Sequence, residues 1–318
     1  MGTKFLEFEK PIADLYAKIQ QLKLLSSEEG LNLDEEIKRI EVRAEALKKD
    51  IYSNLSPSQI VQLARHQNRP DSLSLIRLIS DSFLECHGDR LYRDDPSIVG
   101  GIAKIEDKFV MILGHQKGHD TKENIYRNFG MPHPEGYRKA LRLMQLADKF
   151  SMPIVTFIDT PGAYPGIEAE ERGQAEAIAR NLREMTGLSV PVITYVIGEG
   201  GSGGALAIGV SNKVFMFQYD IYSVISPEGC ASILFRDAAK SDIAAKNLKL
   251  VASDVLSLKV ADGVIPEPIG GAHTNWEWVA QHLKAHVLDS IATYDRVSPD
   301  QIKEERYQKF RSLGVFTG

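Results

Sequence analysis

Apolar residues recur at helical spacing through the first fifty residues of the chain, among many Glu, Lys and Arg residues. They form two stripes: Ile12, Leu15, Ile19 and Leu22 after Pro11, then Leu33, Ile37, Ile40, Ala44 and Leu47. A repeat of three to four residues is typical of an amphipathic α-helix, and Gly30 in the intervening SSEEGLN is a helix breaker. We therefore expect an antiparallel helix pair over residues 1–55, an arm that packs on the main body or on a partner subunit.

Two serine–proline pairs predict where further helices begin, because serine is a preferred N-cap and proline suits the first helical position. Ser56-Pro57 predicts a helix to about residue 66, and we expect another after Asp71. Ser298-Pro299 repeats the signal within a helical tail, residues 275–313. We expect a main domain over residues 56–296 and a C-terminal helix over residues 297–318.

From about residue 97, short apolar runs alternate with helical patterns. The predicted strands are SIVGGIAKI, FVMILGHQ, PIVTFIDT, VPVITYVIGE, KVFMFQ and YSVIS. The predicted helices are PEGYRKALRLMQLADKF, EAEERGQAEAIARNLREM and GGALAIGV. Several strands are apolar at nearly every position, which is typical of strands buried on both faces. The alternation predicts an α/β fold with parallel strand pairing.

Composition and charge narrow the class of protein. With a formal net charge of -5 and a pI near 6.0, we do not expect nucleic acid as the main partner. Cys86 and Cys230 stand alone, which excludes a disulfide scaffold and a zinc site of the cysteine type. The chain starts without the pattern of a secretory signal and has no apolar run of about 20 residues. A soluble cytoplasmic protein is expected, with no membrane partner.

The most informative segment is a glycine run at the end of a predicted strand. Gly200, Gly201, Gly203 and Gly204 flank Ser202, and Ala205 follows. A turn without side chains lets a ligand approach the backbone and accept N–H hydrogen bonds, which favours an oxyanion or phosphate site. The pattern GxxxxGK[ST] is missing, so a P-loop is not favoured. The alternative is that the glycines only permit tight packing of strand and helix.

The same segment also matches the GxSxG pattern of a nucleophile elbow. Ser202 would be the nucleophile of a serine hydrolase, with Asp262 and His273 as nominated triad partners. Such a match arises easily in a glycine-rich turn.

Two further turns follow predicted strands. The first spans residues 159–166 and offers Gly162, Ala163, Tyr164 and Gly166. The second spans residues 226–230 and offers Pro227, Glu228 and Gly229. Ligands bind at the carboxyl ends of strands in open α/β sheets. We expect a site built from backbone donors rather than ionisable side chains, although ordinary proline turns would look the same. Cys230 is interpreted as a packing residue.

A basic segment follows the strand FVMILG. His115 and His119 have HxxxH spacing, but the glutamate of HExxH is missing, so a metal site is not favoured. The cations suit an anionic ligand, an acidic partner surface or simply a solvated face: Lys117, Lys122, Arg127, Arg138, Lys139 and Arg142.

Long motifs resemble the carboxyltransferase alpha subunits of the multi-subunit acetyl-CoA carboxylases of bacteria and plastids. The matching segments are RNFGMPHPEGYRKALRLM, FIDTPGAYPGIEAEERGQAEAIARNL, VIGEGGSGGALAIG and YSVISPEGCASILF, with HGDRLYRDDPSIVGGIA before them and EPIGGAH after them. The resemblance implies a crotonase-type fold, in which ββα units wind into a superhelix with helical extensions.

The resemblance also implies a reaction and an assembly. The carboxyl group of carboxybiotin, held on a biotin carboxyl carrier protein, would pass to acetyl-CoA and give malonyl-CoA for fatty acid biosynthesis. The chain would work in an α2β2 assembly whose beta subunit carries a zinc ribbon, while a biotin carboxylase uses ATP to carboxylate biotin. Gly203 and Gly204 would form the oxyanion hole, with Ala205 as a possible third member. The biotin side would be lined by other residues of the three turns: Gly200, Gly201, Gly162, Ala163, Tyr164, Gly166, Pro227, Glu228 and Gly229. A serine hydrolase and a non-catalytic crotonase-like scaffold remain alternatives.

Overall fold

The computed structural model describes residues 5–29 and 31–315. Gly30, the expected breaker, lies outside the described residues, as do residues 316–318 of the expected C-terminal helix. After a 3₁₀ turn at Glu7–Glu9, the predicted pair of helices is present as α1 (Lys10–Glu29) and α2 (Asp34–Ser53). The Tyr52 hydroxyl lies 3.2 Å from the carbonyl oxygen of Gly270 in the main body. The division into domains at residues 55 and 296 stays a prediction.

A mixed eight-stranded sheet forms the centre of the chain. Its strands are β1 (Ser82–Glu85), β2 (Ile98–Ile105), β3 (Lys108–His115), β4 (Ile154–Thr160), β5 (Val192–Gly201), β6 (Lys213–Phe217), β7 (Ile221–Ser223) and β8 (Gly263–Ile265). The order is β1-β2-β3-β4-β5-β6-β8, with β7 paired to the end of β5. The β1–β2 and β2–β3 pairs are antiparallel and the others are parallel. Every residue of β4 and β5 is buried, as their continuous apolar pattern predicts.

Helices cover both faces of this sheet. They are α3 (Pro57–Ala64), α4 (Ser72–Ile79), α5 (Thr121–Tyr126), α6 (Pro134–Lys149), α7 (Ile167–Glu171), α8 (Gln174–Gly187), α9 (Ser202–Leu206), α10 (Pro227–Phe235), α11 (Ser241–Leu248), α12 (Ala252–Ser257), α13 (Trp276–Ala292) and α14 (Pro299–Arg311). Helices α6 and α8 build one apolar core on the sheet, and α4 and α13 build the core on its other face. Among the described residues, no helix combines the length and apolarity that crossing a bilayer requires.

The predicted helix starts at Ser56, Asp71 and Ser298 are correct. Each side-chain oxygen accepts a hydrogen bond from the backbone N–H three residues later, at 3.3, 2.7 and 3.4 Å respectively. This is the N-cap geometry that these residue types favour.

The structure corrects several predicted elements. The helix expected over residues 168–185 is broken into α7 and α8, because Gly173 adopts φ +81° and begins α8 as its N-cap. The helix expected from GGALAIGV covers only Ser202–Leu206, and the Gly209 N–H then bonds to the Leu206 carbonyl in a turn. Strands β1 and β8 have four and three residues, too few to show a period.

A buried arginine holds α14 against the segments that precede β5 and β6. Arg306 of α14 has no exposed surface, and its guanidinium donates to Asn212 Oδ1 and to the carbonyls of Met185, Leu188 and Val190 at 2.6–2.8 Å. Burial lowers the pKa of Arg306 to about 10, so the group is still charged at neutral pH.

Candidate active site

The three glycine- and proline-rich turns meet at the carboxyl end of the parallel strands. Thr160 at the end of β4 pairs with Gly200 of β5, and Gly201 pairs with Ser223 at the end of β7. The turn after β4, the turn after β5 and the segment leading into α10 are therefore neighbours. This edge is where open α/β sheets place their ligands.

Close packing explains most of the glycine run. A Cβ at Gly200 would lie 2.2 Å from the Tyr222 ring, and one at Gly201 would lie 2.2 Å from the Pro161 carbonyl oxygen. A Cβ at Gly204 would lie 2.5 Å from the backbone nitrogen of Ala163. Close packing by itself therefore requires the lack of a side chain at these three positions, whether or not a ligand binds there.

Gly203 differs from the other glycines of the run. A Cβ there would meet nothing closer than Ile178 Cγ2 at 3.7 Å, an ordinary contact distance. Packing within the described chain therefore gives no reason for a glycine at this position. The space beside the Gly203 Cα is therefore open within the described chain.

The N-terminus of α9 leaves backbone donors without a partner in the helix. Ser202, Gly203 and Gly204 are its first three residues, and their N–H groups precede the first regular helical hydrogen bond. The N-cap residue, Gly201, makes no side-chain cap. Ala205 is the fourth residue, whose N–H has the N-cap carbonyl as its regular acceptor. The arrangement presents Gly203 and Gly204 as donors more readily than Ala205.

The turn before α10 corrects an expectation. Its backbone donors were expected to be free, but the Gly229 N–H donates to the Ser226 hydroxyl at 3.0 Å, a serine N-cap. Pro227 is buried and Glu228 is exposed. The cap therefore occupies the Gly229 N–H, which is not free for a ligand.

The turn after β4 is also largely satisfied within the chain. The Gly162 N–H donates to Thr160 Oγ1 at 3.1 Å, and the Tyr164 N–H donates to the Pro132 carbonyl at 3.0 Å. In the described chain, the Ala163 N–H between them has no hydrogen bond, and it lies beside Gly204. Ala163 is therefore the donor that this turn can offer.

Two side chains hold this turn from behind. The His133 ring stacks on the Tyr164 ring with a centroid separation of 4.1 Å. Gln174 Nε2 donates to the Pro132 and Tyr164 carbonyls, both at 2.9 Å. A Cβ on Gly166 would strike the Tyr164 ring at 2.3 Å, so a glycine is required there too. The turn is rigid before any ligand binds.

Sequence reasoning missed a network of ion pairs directly beside these turns. Lys117 Nζ lies 2.6 Å from Asp159 Oδ1, which also accepts the Glu199 N–H at 3.1 Å. Arg65 then joins Glu199 at 2.7 Å to Glu228 at 2.8 Å. The network ties α3, β3, β4, β5 and α10 together at the site. Ionisable side chains therefore brace the turns, and whether the chemistry rests on backbone donors stays a prediction.

Some of the residues in this network could have been recognised from the sequence. Asp159 and Glu199 are acids near the ends of buried strands, where polar residues are commonly functional. Arg65 had none, because it reaches Glu199 from 134 residues away in the chain.

The hydrolase triad is not assembled. Ser202 is exposed and has φ +55°. Asp262 instead pairs with Lys309 and accepts the Val214 N–H at 2.6 Å. The His273 ring stacks on His66 at 3.8 Å. Within residues 5–29 and 31–315, no hydrogen bond joins Ser202, Asp262 and His273.

The two histidines of the HxxxH pattern lie in different environments. His115 is fully buried, and burial lowers its pKa to about 3, so its ring is neutral. His119 Nε2 lies 2.7 Å from Asp71 Oδ2. The described residues contain no cluster of three or more His, Cys, Asp or Glu that could hold a metal ion.

We predict that the His119–Asp71 pair makes stability depend on pH. Asp71 raises the pKa of His119 to about 9, above its unfolded value of about 6.5. The stabilisation is therefore complete below pH 6.5 and is lost as the pH rises through 9. We expect His119→Asn to be less stable than the wild type by on the order of 2 kcal/mol at pH 6. Denaturant unfolding should show the gap closing by pH 10; a gap that persists there would contradict this origin.

Most of the basic residues already have partners. Arg138 pairs with Asp89 at 2.8 Å, Lys139 pairs with Asp94 at 2.5 Å, and Arg127 donates to the Pro96 carbonyl. Arg142 forms no ion pair among the described residues, but it donates to the carbonyls of Gly88 and His87, at 3.1 and 3.3 Å. Cys230 is buried beside Ala231 and Ala244, which agrees with its interpretation as a packing residue.

Solved structures of other proteins show which fold the chain has. Transcarboxylase 12S, crystallised with methylmalonyl-coenzyme A, matches with a TM-score of 0.57 at 20% identity, over 70% of this chain and 42% of that one. A Pseudomonas malonate decarboxylase hetero-tetramer in complex with coenzyme A matches with a TM-score of 0.58 at 15% identity, over 75% of this chain and 94% of that one. The predicted crotonase-type α/β fold is confirmed. The chain spans less than half the length of the transcarboxylase chain.

Sequence comparison then specifies the family. Residues 5–314 match the profile described as acetyl co-enzyme A carboxylase carboxyltransferase-like. Acetyl-coenzyme A carboxylase carboxyl transferase subunit alpha from Salmonella newport is 57% identical over 317 residues, 99% of each chain, and the protein of that name from Salmonella enteritidis matches equally well. The chain belongs to this family of carboxyltransferases, which confirms the resemblance seen in its sequence.

Proposed function

We propose that the chain is the alpha subunit of an acetyl-CoA carboxyltransferase and stabilises the oxyanion of biotin at the turn between β5 and α9. The observation that carries this proposal is the uncapped start of α9, where the Gly203 N–H precedes the first regular helical hydrogen bond and the space beside the Gly203 Cα is open. The sequence relatives named as alpha subunits support the reaction class.

The reaction poses two oxyanion problems. Breaking the N–CO2 bond of carboxybiotin releases CO2 and leaves negative charge on the ureido group. Removing a proton from the acetyl methyl group of acetyl-CoA leaves an enolate oxygen. Backbone donors fixed before the charge develops stabilise such groups, and losing one typically costs about 10²–10³ in rate.

A side-chain base is not needed in this scheme. The biotin nitrogen freed by CO2 release takes the α-proton of acetyl-CoA, and the enolate carbon then bonds to CO2 and gives malonyl-CoA. Gly203 and Gly204 would donate to the biotin oxygen, with Ala163 as a further donor from the opposite turn. Tyr164, Gly166, Pro227, Glu228 and Gly229 would line the biotin side.

The remaining requirements fall to partners. We propose that a beta subunit with a zinc ribbon supplies most contacts to CoA within an α2β2 assembly. A carrier protein would bring carboxybiotin, which an ATP-using biotin carboxylase regenerates in the cytoplasm.

Replacing the serine of the elbow separates the two enzyme classes. Because Ser202→Ala keeps the backbone N–H, we expect carboxyl transfer within about twofold of the wild type in the complex with the beta subunit. A fluorophosphonate probe should label neither protein. Loss of activity together with labelling that depends on Ser202 would instead support a hydrolase.

A further inference from the structure

A short loop beside the site is rigid. In the segment HGDRLYRDD, residues 87–95, Asp89 Oδ1 accepts the N–H groups of Leu91 at 2.9 Å and Tyr92 at 2.7 Å. Asp94 Oδ1 accepts the Gly88 N–H at 2.8 Å. The Asp89 side chain is itself buried and paired with Arg138. The loop is therefore held from beneath in one conformation.

This rigid loop presents apolar side chains to solvent. Leu91 is 78% exposed and Tyr92 is 59% exposed. Leaving apolar surface in water costs roughly 25 cal/mol per Å² compared with burying it. Exposed apolar groups next to charged ones commonly mark a binding surface, and tyrosine and arginine are enriched among residues that dominate binding energy.

Arginines surround the exposed tyrosine. The guanidinium carbons of Arg93 and Arg172 lie 5.3 and 5.2 Å from the centroid of the Tyr92 ring. Both arginines pair with the single carboxylate of Glu135, at 2.8 and 3.0 Å. Two positive charges share one buried negative charge, so this surface carries a surplus of positive charge.

A second pair of arginines adds to this surplus. Arg90 Nη1 and Arg142 Nη2 both donate to the His87 carbonyl, at 2.8 and 3.3 Å. Neither forms an ion pair with a carboxylate in the described part of the chain. Burial, and then the neighbouring charge of Arg90, lower the pKa of Arg142. We call Arg90, Leu91, Tyr92, Arg93 and Arg172 the basic rim.

The basic rim lies next to the turn that lines the biotin side. Arg172 follows the last residue of α7, and α7 begins directly after Gly166. Five helical residues span about 8 Å. Along α7, Ile167 is 77% exposed and Glu168, Glu170 and Glu171 are exposed acids. The surface is thus basic at the loop and acidic at the helix, with apolar side chains on both parts.

We propose that the basic rim docks the domain that carries biotin to this site, through an acidic face with an apolar patch. The inference rests on the proposed function, because such a domain must bring its biotin to the turns and then leave. A small interface steered by opposite charges suits a contact that forms and dissociates in every cycle. The rigid loop contributes a preorganised anchor in Leu91 and Tyr92.

The test uses the complete complex with the beta subunit and compares two substrates. Carboxyl transfer is measured with free biotin and with a biotinylated carrier domain, for Tyr92→Ser and for Arg90→Glu. We expect KM for the carrier domain to rise tenfold or more, while kcat/KM for free biotin stays within twofold. The wild-type KM for the carrier should also rise with salt, because screening weakens charge steering.

Val42→Ser is the matched control, because Val42 is an apolar residue of α2 that is 65% exposed. Val42→Ser should leave the kinetic constants for both substrates unchanged. The docking proposal is wrong if Tyr92→Ser and Arg90→Glu leave the KM for the carrier domain unchanged. It is also wrong if the two variants lower activity on both substrates equally and gel filtration shows that they have lost the beta subunit. If the wild-type complex uses neither substrate, the proposed function itself fails.

Discussion

Gly204→Ala is expected to lower kcat about 10²–10³-fold in the complex with the beta subunit, while the chain still folds. The added Cβ would lie 2.5 Å from the Ala163 nitrogen and 2.5 Å from the Gly162 carbonyl carbon. Both are backbone atoms of a turn that Thr160 and Tyr164 hold in place, so the turn or the start of α9 must move. A displacement of about 1 Å in a catalytic arrangement can cost 10²-fold, and a lost oxyanion donor costs 10²–10³.

Two other glycine-to-alanine variants serve as comparisons for Gly204→Ala. Gly187→Ala places a Cβ where nothing lies within 4 Å, so its activity and stability should match the wild type. Gly203→Ala is accommodated by the fold, with 3.7 Å to Ile178, and should keep wild-type stability while raising KM for biotin. Steady-state kinetics measure kcat and KM of the three variants, and thermal unfolding measures their stability. Turnover by Gly204→Ala within threefold of the wild type would contradict the site as described.

Arg306→Leu is expected to lower the free energy of unfolding by about 4 kcal/mol or more. The substitution removes the guanidinium donor from the carbonyls of Leu188 and Val190. Asn212 Oδ1 keeps only the Val192 N–H, and the Met185 carbonyl keeps only the Leu188 N–H. Each buried polar group without a partner costs roughly 1–3 kcal/mol. With an unfolding entropy of about 2.1 cal/mol/K per residue, a chain of 318 residues loses roughly 1.5 °C in Tm per kcal/mol, which gives a drop of about 6 °C or more.

A second arginine on the same helix serves as the control. Arg311 is exposed near the end of α14, and Arg311→Leu should change stability by no more than about 0.5 kcal/mol. Thermal unfolding compares the two variants, and limited proteolysis reports whether α14 detaches first. Equal Tm values for Arg306→Leu and Arg311→Leu would show that the buried hydrogen bonds do not hold the helix.

The parts of the fold that depend on local pattern could be predicted from the sequence. Strands β4 and β5 are apolar along most of their length, and Ser56, Asp71 and Ser298 are side-chain caps whose effect extends over three residues. Short strands such as β8 pair through partners far away in the chain and carry no period of their own. The break at Gly173 depends on a left-handed conformation that an uninterrupted helical pattern conceals.

The candidate site shows the same division. Its glycines were recognisable as a group, but the reason for each lies in residues distant in sequence. Gly201 accommodates Pro161 and Gly200 accommodates Tyr222, so packing and ligand access could not be separated before the turns were seen together. Among the glycines of residues 200–204, only Gly203 has room for a side chain within the described chain. Arg65 could not be foreseen, because no local pattern links it to Glu199.

The measurement closest to the central claim is carboxyl transfer by the purified chain with and without a zinc-bearing beta subunit. We predict that the chain alone is nearly inactive and that the reconstituted pair carboxylates free biotin at the expense of malonyl-CoA, in the reverse direction. Gly204→Ala in the same pair should be nearly inactive, and Ser202→Ala should be active. A correctly assembled pair that forms no carboxybiotin from malonyl-CoA would contradict the account.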